Sequence, residues 1–402
     1  MRDLAQSTMP RHLGRLAAAG LLLLAAACAP QRPETPVSAA STAPEPVAEV
    51  EGPVRVALLV PLGSANETRA AIGRSLANAA QLAARDIAGA EVIVDVYATA
   101  GDPARGARVA GEALAAGADI FVGPLFGEVA QAVAPIAAQR GVQVLSFSTN
   151  PAIAGGNLFI SGTTLESRAG RAIAHASTQG LTRIGILHPQ DATGQAARAA
   201  VERVAPRTGA SVVAVASYPR STNGITEAAP GYVAALRDAG SQAVVMSDGG
   251  SGLLFAASFL PINGLSPRQV QLIGLRDLDR AAILADATLQ GMWFPAPDPG
   301  PYETFRARYS GTYGEMPHPL ASIAYDTVAA VGALARDARQ SGDRTPFSRA
   351  NLTQPQGFAG VTGVFRYMPN GQNERALAIL AVNRGGVTLV APAPRSFVRP
   401  GS

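Results

Sequence analysis

Hydrophobic residues in this sequence occur in short continuous runs that alternate with segments of helical spacing. Residues 54–62 form a nearly continuous apolar run, which is typical of a strand buried on both faces of a parallel sheet. After a polar loop, Ile72, Leu76 and Ile87 recur at the spacing of one helix face. The same alternation predicts further strands at 92–97, 119–123 and 142–146, with helices between Asp102 and Gly117 and at 128–140.

A second series of the same kind follows residues 150–162, which the pattern predicts as a linker. Strands that alternate with helices at this rhythm indicate an α/β protein of two doubly wound, Rossmann-like lobes. We expect lobe one at about 54–150, completed by returns from the C-terminal part, and lobe two at about 163–290. The elements predicted beyond residue 150 are helices at 166–180, 193–204, 232–239, 253–260, 301–313 and 320–336, and strands at 183–187, 211–217, 243–246, 270–274, 289–294, 361–366, 376–382 and 387–390.

The N-terminus has the pattern of an export signal. Arginines precede an apolar run at 16–27, which is too short to span a membrane, and Cys28 follows it. The run LLLLAAAC resembles a bacterial lipobox, which implies a signal peptide at 1–28 and a lipid on Cys28; the alternative is an ordinary secretory signal with Cys28 incidental. We expect a Pro-rich tether at 29–53, a domain at 54–392 and a flexible tail at 393–402. The absence of Asp directly after Cys28 favours the outer membrane.

Composition excludes several kinds of chemistry. The sequence contains no lysine, which rules out a P-loop lysine and a Schiff-base lysine. Its single cysteine cannot form an internal disulfide, and its four histidines form no metal-binding pattern. The sequence around Ser251 lacks the final glycine of a nucleophile elbow, and no GxGxxG motif follows the first strand. We therefore predict a non-enzymatic protein without a cofactor, a metal site or a nucleic-acid partner.

Polar side chains follow the predicted strands of both series. The carboxyl ends of strands in open α/β sheets are where such proteins bind ligands, and hydroxyl, carboxylate and backbone N–H groups there can hold a small polar molecule. The alternative is that these residues only cap helices and form turns, which require the same residue types. The candidate ligand-binding residues at these positions are Ser64, Ser146, Ser148, Thr149 and Asp248.

Several short motifs occur in a characteristic order along the chain. The first are Gly123-Pro124-Leu125 and the segment 141–148, and the last is FxGVTGxF at 358–365. Between these lie FxxxY at 305–309, YGxxP at 313–317 and AYD at 324–326. Together the motifs resemble the leucine-binding-protein family of type I periplasmic binding proteins. The resemblance covers about 54–390 and implies two lobes that bind a small solute between them.

Two positions depart from the amino-acid-binding members of that family. Those members carry a serine pair after Gly-Pro, where this chain has Leu125 and Phe126. They also carry an aromatic residue in the turn that begins here at Asp191, where Ala192-Thr193-Gly194 follows. The resemblance therefore adds Leu125 and Asp191 to the candidate ligand-binding residues, in a less polar site than an amino-acid receptor usually has.

The combination of Gly123-Pro124-Leu125 with a lipobox is similar to the penicillin-binding-protein activators, which are outer-membrane lipoproteins that stimulate a peptidoglycan synthase. The large helical-repeat domain of those activators is absent, and only the short tether stands in its place. Two functions follow as hypotheses. The first is a regulator that docks on a penicillin-binding protein in the periplasm. The alternative is a receptor for amino acids or a related small polar solute that delivers its ligand to an ABC permease.

Overall fold

The computed structural model describes residues 47–397, all within one compact unit, Glu45–Ser402. The predicted signal peptide with Cys28, most of the tether and residues 398–402 lie outside the described residues. The described end of the tether contacts the domain, because Val50 N donates to Arg344 O at 2.8 Å. At the other end, the guanidinium of Arg366 lies 4.6 Å from the ring centroid of Phe397.

Lobe one is built on a five-stranded parallel sheet with the order β2-β1-β3-β4-β5. The segment 150–162, predicted as a linker, contains a 3-10 helix, Pro151–Ile153, and the strand β5. That strand has only three residues and is surrounded by Gly, Asn and Pro, so the local sequence pattern does not predict it. Its pairing with β4 defines it as a strand. The elements are β1 (Val54–Val60), α1 (Glu67–Asp86), β2 (Val92–Ala98), α2 (Pro103–Ala115), β3 (Ile120–Val122), α3 (Gly127–Ala138), β4 (Gln143–Ser146) and β5 (Leu158–Ile160).

Lobe two begins after β5. Its helix α6 starts ten residues before the predicted 232–239, because Pro230 and two glycines hide the helical pattern while Ser221 caps the helix start. The elements are α4 (Leu165–Thr178), β6 (Arg183–Pro189), α5 (Ala192–Val204), β7 (Ser211–Tyr218), α6 (Thr222–Asp238), β8 (Ala243–Met246), α7 (Gly250–Ile262), β9 (Gln271–Gly274), α8 (Ala281–Ala285) and β10 (Trp293–Ala296).

The C-terminal part of the chain serves both lobes. Its helices pack against lobe one, whereas its last two strands extend the sheet of lobe two beyond the predicted range 163–290. The elements are α9 (Pro299–Tyr313), α10 (Ala321–Ser341), α11 (Arg349–Leu352), β11 (Phe365–Tyr367), β12 (Asn373–Arg375), β13 (Ala378–Asn383) and β14 (Gly386–Ala391). The sheet of lobe two has the order β14-β13-β10-β9-β8-β6-β7, in which β13 pairs antiparallel with both β10 and β14, and β10, β9, β8, β6 and β7 pair in parallel.

Each sheet is covered by helices on both faces, as a parallel sheet requires. In lobe one, α1 and α10 share a buried core with one face, and α2 and α3 cover the other. In lobe two, α6 and α7 pack on one face, and α4 and α5 on the other. The predicted fold class, two doubly wound α/β lobes, is confirmed. Within residues 47–397, no helix combines the length and the apolar character that crossing a membrane requires.

The chain crosses between the lobes three times, at 161–164, 297–298 and 376–377. The first two crossings leave directly from the carboxyl ends of β5 and β10, each of which is parallel to its neighbouring strand in its own sheet. The carboxyl ends of both sheets therefore lie on the side of the crossings and face one another. This arrangement forms a cleft between the two edges that bind ligands in open α/β sheets.

A buried ion pair lies beside the crossings. Arg375 Nη1 is 2.9 Å from Asp326 Oδ2, and both side chains are 0% exposed. Asp326 also accepts a hydrogen bond from Val361 N at 2.6 Å and one from the hydroxyl of Thr362. Arg375 Nη2 donates to Ser161 O, in the first crossing, at 3.2 Å. One ion pair thus joins α10, residues 361–362, β12 and a crossing segment.

We predict that Arg375→Ala lowers the free energy of unfolding by about 3–5 kcal/mol, because it leaves the Asp326 carboxylate buried without its counter-ion. Urea denaturation followed by circular dichroism measures this loss. Arg108→Ala is the matched control, since Arg108 pairs with Glu112 at 59% and 54% exposure and should cost no more than about 1 kcal/mol. Equal losses in the two variants would contradict the role of the buried pair.

Candidate functional site

The cleft edge of lobe one is centred on its switch point, which is the place between β1 and β3 where the strand order reverses. The turn after β3 contains a cis peptide bond between Gly123 and Pro124, and Gly123 has φ +85°. A Cβ on Gly123 would lie 2.2 Å from Leu59 O, so only glycine fits beside the end of β1. This close approach brings the two loops at the switch point together.

The predicted serines of lobe one stabilise these turns. Ser146 is 0% exposed, and its hydroxyl donates to Pro124 O at 2.8 Å and accepts from Ser148 N at 3.1 Å. Ser148 is also buried, and its Oγ accepts from Asn150 N at 3.2 Å. Ser64 is half-buried and accepts from Asn66 N at 3.3 Å. These contacts fit the turn-forming alternative, and ligand binding by the three serines stays a prediction.

Thr149 and Leu125 have different surroundings. Thr149 is exposed at the carboxyl end of β4, and none of residues 47–397 hydrogen-bonds to its hydroxyl. Leu125 is half-buried against the core of lobe one. On the same edge, the guanidinium of Arg69 lies 4.9 Å from the ring centroid of Phe126. Thr149 is therefore the predicted residue of lobe one whose hydroxyl is most available to a ligand.

The cleft edge of lobe two brings Asp191 and Asp248 together over its own switch point, between β6 and β8. Asp191 caps α5 by accepting from Gly194 N at 2.8 Å. Asp248 is almost fully buried and accepts from Gly249 N at 2.8 Å and from the hydroxyl of Tyr218 at 3.0 Å. Both predicted carboxylates thus form local contacts at helix N-termini.

Arg220 links these two carboxylates and was missed by the sequence prediction. Its Nε is 2.7 Å from Asp191 Oδ2, and its Nη2 is 3.3 Å from Asp248 Oδ1. The sequence does contain a signal for it, because Arg220 lies in the turn that follows β7, at the carboxyl end of a strand like the predicted site residues. Because the predicted start of α6 was ten residues late, that turn was not placed at the cleft edge.

Tyr218 remains a hydrogen-bond donor in this cluster. Burial, followed by the nearby charge of Asp248, raises the pKa of the Tyr218 hydroxyl well above its usual value. The phenol therefore keeps its proton at neutral pH and donates to Asp248. Tyr218, Asp248, Arg220 and Asp191 form one continuous polar network, which we call the Arg220 cluster.

Tyr302, on α9, is half-buried. Burial raises the pKa of Tyr302, and the charges of Asp277 and Asp279, in the loop after β9, add to the rise while Arg306 opposes it. The seven predicted site residues lie on two facing edges, with Ser64, Leu125, Ser146, Ser148 and Thr149 on lobe one and Asp191 and Asp248 on lobe two.

A separate groove of about 740 Å³ lies between α4, the end of α5 and the β11–β12 hairpin. Arg171, Arg203 and Asn373 are among the residues that line it, and none of the seven predicted site residues does. Arg171 Nε donates to Leu377 O at 2.6 Å, in the third crossing. The groove is therefore distinct from the cleft between the carboxyl ends of the sheets.

The fold and its facing edges define a class, the two-lobed type I binding proteins. Residues 53–387 match the family model described as periplasmic binding protein, and the chain belongs to that family. This confirms the resemblance to leucine-binding-type proteins, while none of the comparisons supports the penicillin-binding-protein activator branch. No curated protein matches the chain.

Solved structures with the same fold cover most of the chain at low identity. A putative branched-chain amino acid ABC transporter from Rhodospirillum rubrum has a TM-score of 0.72 and 19% identity, over 84% of this chain and 100% of that one. An ABC transporter substrate-binding protein from Desulfitobacterium hafniense, in complex with Leu, has a TM-score of 0.60 and 18% identity, over 84% of this chain and 99% of that one. A solute-binding protein from R. palustris, in complex with 4-hydroxybenzoate, has a TM-score of 0.59 and 15% identity, over 86% of this chain and 98% of that one. At these identities the likeness shows the fold alone.

We predict that Tyr218→Phe lowers the free energy of unfolding by about 1.5–3 kcal/mol, because it removes a donor from a buried carboxylate. Tyr232→Phe is the matched control, since its ring centroid lies 6.0 Å from that of Tyr218 and its hydroxyl donates to the neutral Ala256 O at 2.8 Å. That control should cost about 0.5–1.5 kcal/mol. Urea denaturation measures the free energy of unfolding of both variants. A loss for Tyr218→Phe that is equal to or smaller than the loss for Tyr232→Phe would contradict the prediction.

Proposed function

We propose that the chain is a non-enzymatic receptor that closes its two lobes on a small solute and presents it to an ABC permease. The observation that carries this proposal is the pair of facing switch points, with an exposed Thr149 on one edge and the Arg220 cluster on the other. Three crossings connect the lobes, so rotation at a few residues can open and close the cleft. Ligand held between the lobes then stabilises the closed arrangement.

The comparisons favour this function over the regulator of a penicillin-binding protein. Members of the matched family are solute-binding proteins, and similar structures are described as parts of ABC transporters. Their bound molecules include leucine, isoleucine, benzoate and 4-hydroxybenzoate, which are small carboxylates. The regulator hypothesis depends on the lipobox and on the Gly-Pro-Leu turn, and it stays a prediction from sequence.

Lipid attachment to Cys28 is part of the proposal, because it would hold the receptor at a membrane that borders the periplasm. The sequence favours the outer membrane, whereas a permease lies in the inner membrane. The family places the folded domain in the periplasm, which both membranes border. The identity of the membrane partner therefore distinguishes the two hypotheses.

We predict that at least one of leucine, isoleucine, benzoate and 4-hydroxybenzoate raises the melting temperature of the purified domain. Ligand at 100 times its dissociation constant adds about 2.7 kcal/mol to the stability of the folded state. Differential scanning fluorimetry followed by isothermal titration calorimetry measures the rise and the Kd. If none of these compounds binds, the receptor function fails.

Thr149→Ala tests whether the bound compound occupies the cleft. Loss of one neutral hydrogen bond should weaken binding about 2- to 10-fold. Thr312→Ala is the control, because Thr312 is exposed on α9 and its hydroxyl donates to Arg308 O at 2.8 Å, within its own helix. A Kd unchanged by Thr149→Ala would remove Thr149 from the site.

We predict that the membrane-attached chain recovers permease subunits in a cross-linking pull-down. The Cys28→Ser chain, which cannot be lipidated, is the control and should recover fewer because it is not held at the membrane. Recovery of a penicillin-binding protein in place of a permease would favour the regulator and contradict the receptor.

A further inference from the structure

The Arg220 cluster presents an exposed guanidinium, while one of its carboxylates, Asp248, is buried and the other, Asp191, is 39% exposed and paired with Arg220. The Asp248 side chain is 3% exposed; its oxygens accept hydrogen bonds from Tyr218 and Gly249, and it forms an ion pair with Arg220. The Asp191 carboxylate is used by Gly194 and Arg220. The Arg220 side chain is 48% exposed, so the arginine is the charged group of the cluster that is most accessible from the cleft.

Arg220 retains unused hydrogen-bonding capacity. A guanidinium has five N–H donors, and the two carboxylates form ion pairs with Nε, at 2.7 Å, and with Nη2, at 3.3 Å. Within residues 47–397, no further acceptor is bonded to the other three N–H groups. Two of these belong to Nη1 and one to Nη2, which are neighbouring nitrogens of the planar group. Their spacing allows them to donate side by side to the two oxygens of one carboxylate.

The surrounding backbone also favours an anion at this edge. Helices α5, α6 and α7 all begin here, immediately after Asp191, Ser221 and Gly249. Each helix N-terminus carries about half a positive charge. Together with Arg220, the three termini offset the two aspartates, so the cluster does not repel an anion as two free carboxylates would.

We propose that the ligand carries a carboxylate and that Arg220 binds it, which makes Arg220 the residue of lobe two that determines specificity. This inference rests on the receptor function proposed above. An ammonium group at this place would meet the guanidinium and would find Asp248 buried and already bonded. Recognition at this edge therefore differs from the expectation that Asp191 and Asp248 themselves contact the ligand.

The test compares carboxylates with their amides on two forms of the protein. Calorimetry gives the Kd of benzoate, 4-hydroxybenzoate and leucine, and of benzamide, 4-hydroxybenzamide and leucinamide, for the wild type and for Arg220→Gln. We expect the wild type to prefer the carboxylates and Arg220→Gln to bind them about 10- to 100-fold more weakly. Binding of the amides should change little, so the preference for carboxylate over amide should disappear.

Two further variants separate recognition from folding. Arg237→Gln is the matched control, since Arg237 is also 48% exposed in lobe two and pairs with Asp238; its Kd values should equal those of the wild type. Arg220→Lys keeps a cation between the aspartates but offers no paired N–H groups, so the carboxylate preference should fall about 3- to 10-fold even if Arg220→Gln fails to fold.

The outcomes distinguish this inference from the receptor function. Carboxylates that bind the wild type and Arg220→Gln, or the wild type and Arg220→Lys, equally well would overturn the role of Arg220 and leave the receptor intact. Amides that bind the wild type as tightly as carboxylates would overturn it as well. If no compound binds the wild type, the receptor function fails, and the inference fails with it.

Discussion

The buried ion pair between Arg375 and Asp326 is the interaction on which the arrangement of the two lobes depends. Removing both charges from water carries a large desolvation cost, which an ion pair offsets only when its remaining hydrogen-bonding groups are also satisfied. Asp326 meets this condition through Val361 and Thr362. A Cβ on Gly360 would lie 2.6 Å from the Asp326 side chain, so glycine is required where the loop wraps the carboxylate. The pair thereby fixes α10 and β12 beside the first crossing.

Side chains around this pair bind the crossings to one another. Asn373 Nδ2 donates to Ile160 O at 2.6 Å, at the end of β5, and to Gly162 O at 2.8 Å, within the first crossing. Arg168 Nη1 donates to Pro295 O at 2.9 Å, next to the second. Because these contacts fix the ends of the crossings, lobe movement is confined to rotation within a few residues of each. The two cleft edges can then approach one another without repacking either core.

Periodicity in the sequence was sufficient to predict the two lobes but not to predict the polar contacts between their loops. Buried runs and helical spacing predicted nearly every strand and helix of both sheets, since both patterns are local. The strand β5 was missed because only its pairing with β4 defines it. Asp191 and Asp248 were predicted from their place at strand ends, whereas their partner Arg220 depends on which strands are neighbours. Strand order is a tertiary property, and the spacing of residues along the chain does not contain it.

The Arg220 cluster also explains why acidic residues at a cleft edge need not select a cation. A single arginine side chain on a surface samples many rotamers, and ordering it on binding costs free energy. Asp191 and Asp248 hold the guanidinium along its Nε–Nη2 edge before any ligand arrives, so most of this side-chain ordering occurs during folding. Tyr218 in turn holds Asp248 from within the core of lobe two. The two acids therefore act by positioning the arginine, and Arg220 is the most exposed charged group of the cluster.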